Sequence, residues 1–127
     1  MRNKITNDEK SITLTPTIFH ILVVLSGGER HGYAILREVK EIAEGESSLG
    51  PTTLYRSIRT MLDAKLIDEL DERPDPESND ERRRYYRLTG FGAKVLSDEV
   101  ERLESLVKVA RSKNILTGNR RIAASGK

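Results

Sequence analysis

The chain has 127 residues, 33% of them charged and 5% aromatic, with a net charge of +2 and neither cysteine nor tryptophan. Disulfide frameworks, thiolate metal sites and thiol nucleophiles are thereby excluded, and the length fits one domain with a modest core and an extension. A charge balance this small does not by itself demand a nucleic-acid partner, so the placement of charge along the chain has to decide. No apolar run approaches the roughly 18 residues of a membrane span. Arg2 and Lys4 lack the apolar stretch behind them that a secretory signal needs, so the expected location is cytoplasmic and no membrane partner is expected.

Residues 1–13 are polar and mixed in charge and read as a flexible segment. Thr15-Pro16 then offers a capping hydroxyl followed by a proline suited to the first helical position. Ile18, Ile21, Leu22 and Leu25 form the buried stripe of a short first helix that Gly27-Gly28 ends. His20 has no nearby partner of a type that would make it a ligand or a catalytic group. A second helix is expected from about His31 to Glu44, with Ile35, Leu36, Val39 and Ile42 inward and Gly45 as its stop. Tyr33, at its start, has two readings: a hydroxyl donated to a phosphate, or a half-buried ring between helices.

The organising stretch is Gly50 to Ile67. Pro51 opens a third helix whose stripe is Leu54, Ile58, Met61 and Leu62. Its other face carries Thr52, Thr53, Arg56, Arg59 and Thr60, with no carboxylate before Asp63. Guanidiniums read guanine edges or phosphates in bidentate fashion, and short hydroxyls allow close approach to a groove. Taken alone, the pattern also fits an ordinary amphipathic helix with a solvated basic face. Three short helices with tight turns, the third carrying the polar face, make a helix-turn-helix.

Helical periodicity stops after Lys65. Leu66 to Leu70 reads as a short strand, and ERPDPESNDE, with two prolines and many acids, as irregular chain. In Arg82 to Thr89, period two puts Tyr86 and Leu88 on one face and Arg83, Tyr85 and Arg87 on the other. The pair reads as a β-hairpin wing whose basic returning strand, through Arg82, Arg83 and Arg84, contacts phosphate, while the acidic tip stays away from it. From Thr89 a long helix is expected to about Asn114, with Ala93, Leu96, Val100, Leu103, Val107 and Ala110 on a heptad seam. At roughly 1.5 Å per residue it is too long for so small a domain to cover, which points to a second copy of the chain as its partner. Residues 115–127 read as a disordered tail.

The expected fold class is therefore mainly α with a small β-hairpin: a winged helix-turn-helix domain over residues 14–89 and a C-terminal dimerisation helix over 90–114. No cofactor, metal site or catalytic constellation can be assembled from the residue types present, and an enzyme is not expected. In order and at matching intervals, LTPTIFHILVVLSGGERHGYAILREV, the TLY of Thr53 to Tyr55, MLDAKLI and RRRYYRLTGFGAKVL resemble the PadR-type winged-helix transcriptional regulators, in their short form with one C-terminal helix. The most specific piece is RRYYxLTxxG, met by Arg83, Arg84, Tyr85, Tyr86, Leu88, Thr89 and Gly92. The resemblance implies a homodimeric repressor of double-stranded DNA at an inverted repeat, with Thr53 and Tyr55 facing DNA. In that family small aromatic or drug-like effectors often act on such dimers, but this sequence names none. The family often has proline straight after that tyrosine, where this chain has Arg56-Ser57-Ile58. An unkinked helix with a more basic face is expected instead, and no target preference carries over. The alternative use of the same module is contact with an acidic protein.

Overall fold

The structure is a computed structural model that describes residues 14–43, 49–75 and 78–114, with backbone only for 73–75 and 78–82. Helix α1 (Pro16–Leu25) starts where the Thr15 side chain accepts from the Ile18 N–H, at 3.2 Å. Strand β1 (Arg30–His31) leads into α2 (Gly32–Ile42), which His31 caps by accepting the Ala34 N–H on Nδ1, at 3.2 Å. Helix α3 (Pro51–Asp63) is followed by β2 (Ile67–Asp75), β3 (Ser78–Leu88) and α4 (Gly90–Ser112). The expected stop at Gly45, the turn through residue 48, and both terminal segments lie outside the described residues.

Helix α3 is unbroken and ends in a Schellman arrangement. The Leu66 N–H donates to the Met61 carbonyl (2.9 Å) and the Lys65 N–H to that of Leu62 (3.0 Å). Lys65 takes the left-handed conformation (φ 64°) that this turn requires, and Leu66 is thereby delivered into the core.

The strands form one antiparallel sheet in the order β1-β3-β2, with Arg30 opposite Tyr86 and Ile67 opposite Leu88. Two expectations are corrected here. The first strand pairing, through β1, has no counterpart in the sequence reading, because two residues carry no readable period. The described part of the ERPDPESNDE stretch is strand rather than irregular chain: β2 runs to Asp75 and β3 starts at Ser78, with residues 76 and 77 outside the described residues. Pro74 is tolerated because β2 is an edge strand, where a missing N–H need not break a ladder. Register shifts fall between Glu69 and Glu72 and between Pro74 and Asp75.

The core takes Ile18, Ile21, Leu22 and Leu25 from α1 and Ile35 and Val39 from α2. Leu54, Ile58 and Met61 join from α3, then Leu66, Ile67 and Tyr86, and Val95 and Leu96 from the start of α4. Each such side chain contributes about 1.5–3 kcal/mol on full burial. Ile42 departs from its expected inward position: in the last turn of α2 it is 46% exposed.

The start of α4 is tied to the chain that follows α3. The Thr89 N–H donates to the Leu66 carbonyl (3.0 Å) and its hydroxyl to that of Lys65 (2.7 Å), while Thr89 Oγ1 accepts the Gly92 N–H (2.9 Å). Gly92 makes this closeness possible: a Cβ there would overlap the Leu66 carbonyl group.

The chain divides into two compact units, with the boundary between Leu96 and Ser97. The first two turns of α4 thus belong with the winged unit, whereas the expected boundary lay at residue 89. Leu96, expected on the intermolecular seam, is buried at 8% exposure in the core of its own chain. In the second unit, Arg102 donates twice to Glu99 (3.0 and 2.6 Å), which holds that carboxyl below its ordinary pKa. Val100, Leu106, Val107 and Val109 are exposed there, and Leu103 and Ala110 are half-buried.

Candidate nucleic-acid interface

With Leu54, Ile58 and Met61 turned into the core, the 3.6-residue period leaves Thr52, Thr53, Tyr55, Arg56, Arg59 and Thr60 of α3 exposed on one side. Gly50 caps the helix without a side-chain hydrogen bond. The helix therefore starts with exposed residues and without a capping side-chain hydrogen bond from Gly50, and its positive dipole end favours an anion. The Thr60 hydroxyl donates back to the Arg56 carbonyl (3.2 Å). Among the described residues neither Arg56 nor Arg59 takes part in an ion pair.

Tyr55 serves two purposes. Its ring lies over Gly32, where an added Cβ would come within 3.0 Å of the ring carbon that bears the hydroxyl, yet the residue is 52% exposed. A glycine at the first position of α2 thus lets the hydroxyl end of the Tyr55 ring approach, while the residue as a whole stays exposed beside the arginines of α3.

Tyr33 is 53% exposed rather than half-buried between helices. The guanidinium carbons of Arg37 and Arg83 each lie 5.6 Å from its ring centroid, and the His31 ring stacks beside it at 6.5 Å. Two cations are therefore gathered at one aromatic residue, drawn to the negative face of the ring. Arg37 was not singled out in the sequence. Its signal there is its position four residues after Tyr33, on the same side of a helix.

The tyrosines of β3 follow the predicted alternation, but both are buried. Tyr85 packs edge-on against His31 (5.3 Å), and Tyr86 enters the core. Burial raises the phenol pKa of Tyr86, with the Glu69 charge adding to the rise and the Arg84 and Arg59 charges opposing it. The hydroxyl of Tyr86 is thus where the charges of the wing and of α3 meet.

Arg84 departs from its expected role. Instead of presenting an uncompensated cation to phosphate, it donates to Glu69 (2.8 Å) and Glu72 (3.1 Å), which raise its pKa further. The cause is register, since β2 sets its acids opposite the arginines of β3; Asp68 stands 3.8 Å from Arg87 in the same way. Arg82 lies on β3 opposite Pro74, with its side chain outside the described set. Among the described residues no group of acidic, histidine or cysteine side chains is arranged to hold a metal ion, and no helix is long and apolar enough to cross a membrane.

Comparison with known proteins identifies the family of the chain. The family described as "Transcriptional regulator PadR-like family" matches residues 21–98, more than half of the chain. Among solved structures, a PadR family transcription regulator from hypervirulent Clostridium difficile is 28% identical, with 74% of this chain and 95% of that one covered and a TM-score of 0.59. A transcriptional regulator from Clostridium thermocellum is 25% identical (76% and 87% covered, TM-score 0.60). A PadR-like transcriptional regulator from Bacillus cereus shares the fold at 20% identity (81% and 95% covered, TM-score 0.62). No curated protein matches. The family match spans α2, α3, the wing and the first turns of α4, the same stretch that gathers the exposed arginines, and the chain belongs to the PadR-like transcriptional regulators.

Proposed function

We propose that this regulator acts in the cytoplasm as a homodimeric repressor that reads an inverted-repeat operator through α3. The observation that carries the reading is the exposed side of α3, where Thr52, Thr53, Arg56 and Arg59 stand together without a carboxylate before Asp63. Arg56 and Arg59 reach base edges, each worth about 1–3 kcal/mol of discrimination. Thr52, Thr53 and the Tyr33–Arg37–Arg83 group hold phosphates, which adds affinity without sequence information. The exposed apolar residues Val100 and Val107, with Leu103 and Ala110, pair two copies about a two-fold axis. Two α3 helices then enter successive major grooves about 34 Å apart. Repression follows because a dimer this small blocks a promoter more readily than it recruits a polymerase.

The test is a salt-dependent titration with the promoter of the protein's own gene and with a shuffled duplex, run also on the Arg56→Ala/Arg59→Ala variant. The expected result is binding to the promoter more than about a thousandfold tighter than to the shuffle, a gap that the variant closes while its salt dependence stays steep. Equal binding of both duplexes, with no operator recovered by selection from a random library, would favour contact with an acidic protein.

A further inference from the structure

Side chains alternate along a strand, so Arg84 shares a face of β3 with Tyr86 and Leu88. The antiparallel register sets Glu72 opposite Arg84 and Glu69 opposite Tyr86, and the register shift between the two acids brings both carboxylates to one guanidinium. One terminal nitrogen donates to Glu69 Oε2 at 2.8 Å and the other to Glu72 Oε2 at 3.1 Å. A phosphate binds the same fork of N–H groups that a carboxylate does. Here both terminal nitrogens already serve carboxylates, and the trio carries a net negative charge.

We propose that Glu69 and Glu72 are specificity-determining residues that mask Arg84 from DNA phosphates and so lower affinity for duplexes of any sequence. This rests on the DNA-binding reading above and deepens it. Exposed ion pairs contribute little to folding, so stability gives weak grounds for placing two acids around one arginine. Charge cancellation gives stronger ones. A phosphate contact strengthens binding to every sequence alike, whereas a regulator must find few sites among a great excess of competing ones. The position fits as well: the charges of Glu69 and Arg84 act on the same Tyr86 hydroxyl as those of Tyr55 and Arg59. The masked arginine is also the chain neighbour of Arg83, whose guanidinium lies 5.6 Å from the Tyr33 ring in the phosphate-holding group proposed above.

The experiment compares four proteins on a fluorescent duplex of shuffled sequence over a series of salt concentrations: wild type, Arg84→Ala, Glu69→Gln/Glu72→Gln, and the triple variant. Arg84→Ala is expected to leave affinity within about twofold of wild type. Glu69→Gln/Glu72→Gln should tighten binding about tenfold at low salt and steepen the salt slope by about one, the value for one added phosphate contact. Adding Arg84→Ala to that pair should remove most of the gain. A gain in affinity does not arise from misfolding, and its loss in the triple variant separates unmasking of Arg84 from a general change in net charge. A gain that survives Arg84→Ala overturns the masking, as does a single Arg84→Ala variant that weakens binding as strongly as Arg56→Ala/Arg59→Ala. Salt-dependent binding by wild type with no gain from the glutamines overturns the masking alone. Absence of binding by all four proteins overturns it together with the DNA-binding reading.

Discussion

Substituting Gly92 with alanine tests the tie between α4 and the chain after α3. The added methyl would lie 2.9 Å from the Leu66 carbonyl carbon and 3.2 Å from its Cα, with the carbonyl oxygen nearer still. These are backbone atoms of a residue buried in the core, so relief requires α4 to move by about an ångström, as overpacking forces backbone shifts. Such a move stretches the 2.9 Å bond from the Gly92 N–H to Thr89 Oγ1 and loosens the Thr89 bonds to Lys65 and Leu66. Overpacking costs about 1–3 kcal/mol and a lost N-cap about 1, while the better helix propensity of alanine returns at most about 1. The net expectation is about 2 kcal/mol, a fall in Tm of about 8–16 °C for a domain of this size. Thermal melts followed by circular dichroism at fixed protein concentration measure it, because self-association, as in the proposed dimer, makes Tm depend on concentration. Gly90→Ala is the internal control: it lies in the same first turn, with nothing within 4 Å of an added Cβ. A Gly92→Ala protein melting within about 2 °C of wild type, or a Gly90→Ala protein falling equally, would refute the reasoning.

Two further outcomes are expected. Burial raises the Tyr86 phenol pKa above its unfolded value; its neutral form therefore stabilises the fold fully below the ordinary phenol range, and that contribution is lost as pH rises through the folded pKa. Absorbance titration of the native protein should show a late-ionising component that is missing in Tyr86→Phe, and an unchanged curve would contradict the burial. Val107→Glu on the expected seam should convert a dimer to monomer in sedimentation velocity, whereas Val109→Glu, also exposed but off the seam, should leave the dimer intact; the reverse pattern would place the interface on another side of the helix.

The helices were legible because each repeats its apolar residues with the helical period. Ile18 to Leu25 and Leu54 to Met61 are buried as their spacing requires, and the Thr15 and Thr89 caps lie where a hydroxyl precedes a helix start. The basic side of α3 follows directly from that stripe. Pairing information was not legible. The sequence shows acids and arginines in the wing, but only the register reveals that Glu69 and Glu72 meet at Arg84. A two-residue strand such as β1 has no pattern to detect, and a proline that argues for a loop, Pro74, is acceptable on an edge. Leu96 shows a different limit, for along one helix a single period can serve the chain's own core first and another surface afterwards. The approach of Arg83 to Tyr33 is likewise tertiary, since the two come from β3 and α2, whereas Arg37 is a neighbour along the same helix.

The outer position of β2 carries a consequence for how the protein behaves when crowded. An edge strand offers unpaired backbone groups to any neighbouring chain and is a template for uncontrolled growth of the sheet. Here that edge is interrupted twice by register shifts, lacks an N–H at Pro74 and is studded with Asp68, Glu69, Asp71 and Glu72. The opposite edge, β1, is only two residues long. Neither border of the sheet therefore invites a further strand, and copies of this protein can accumulate without polymerising through their wings.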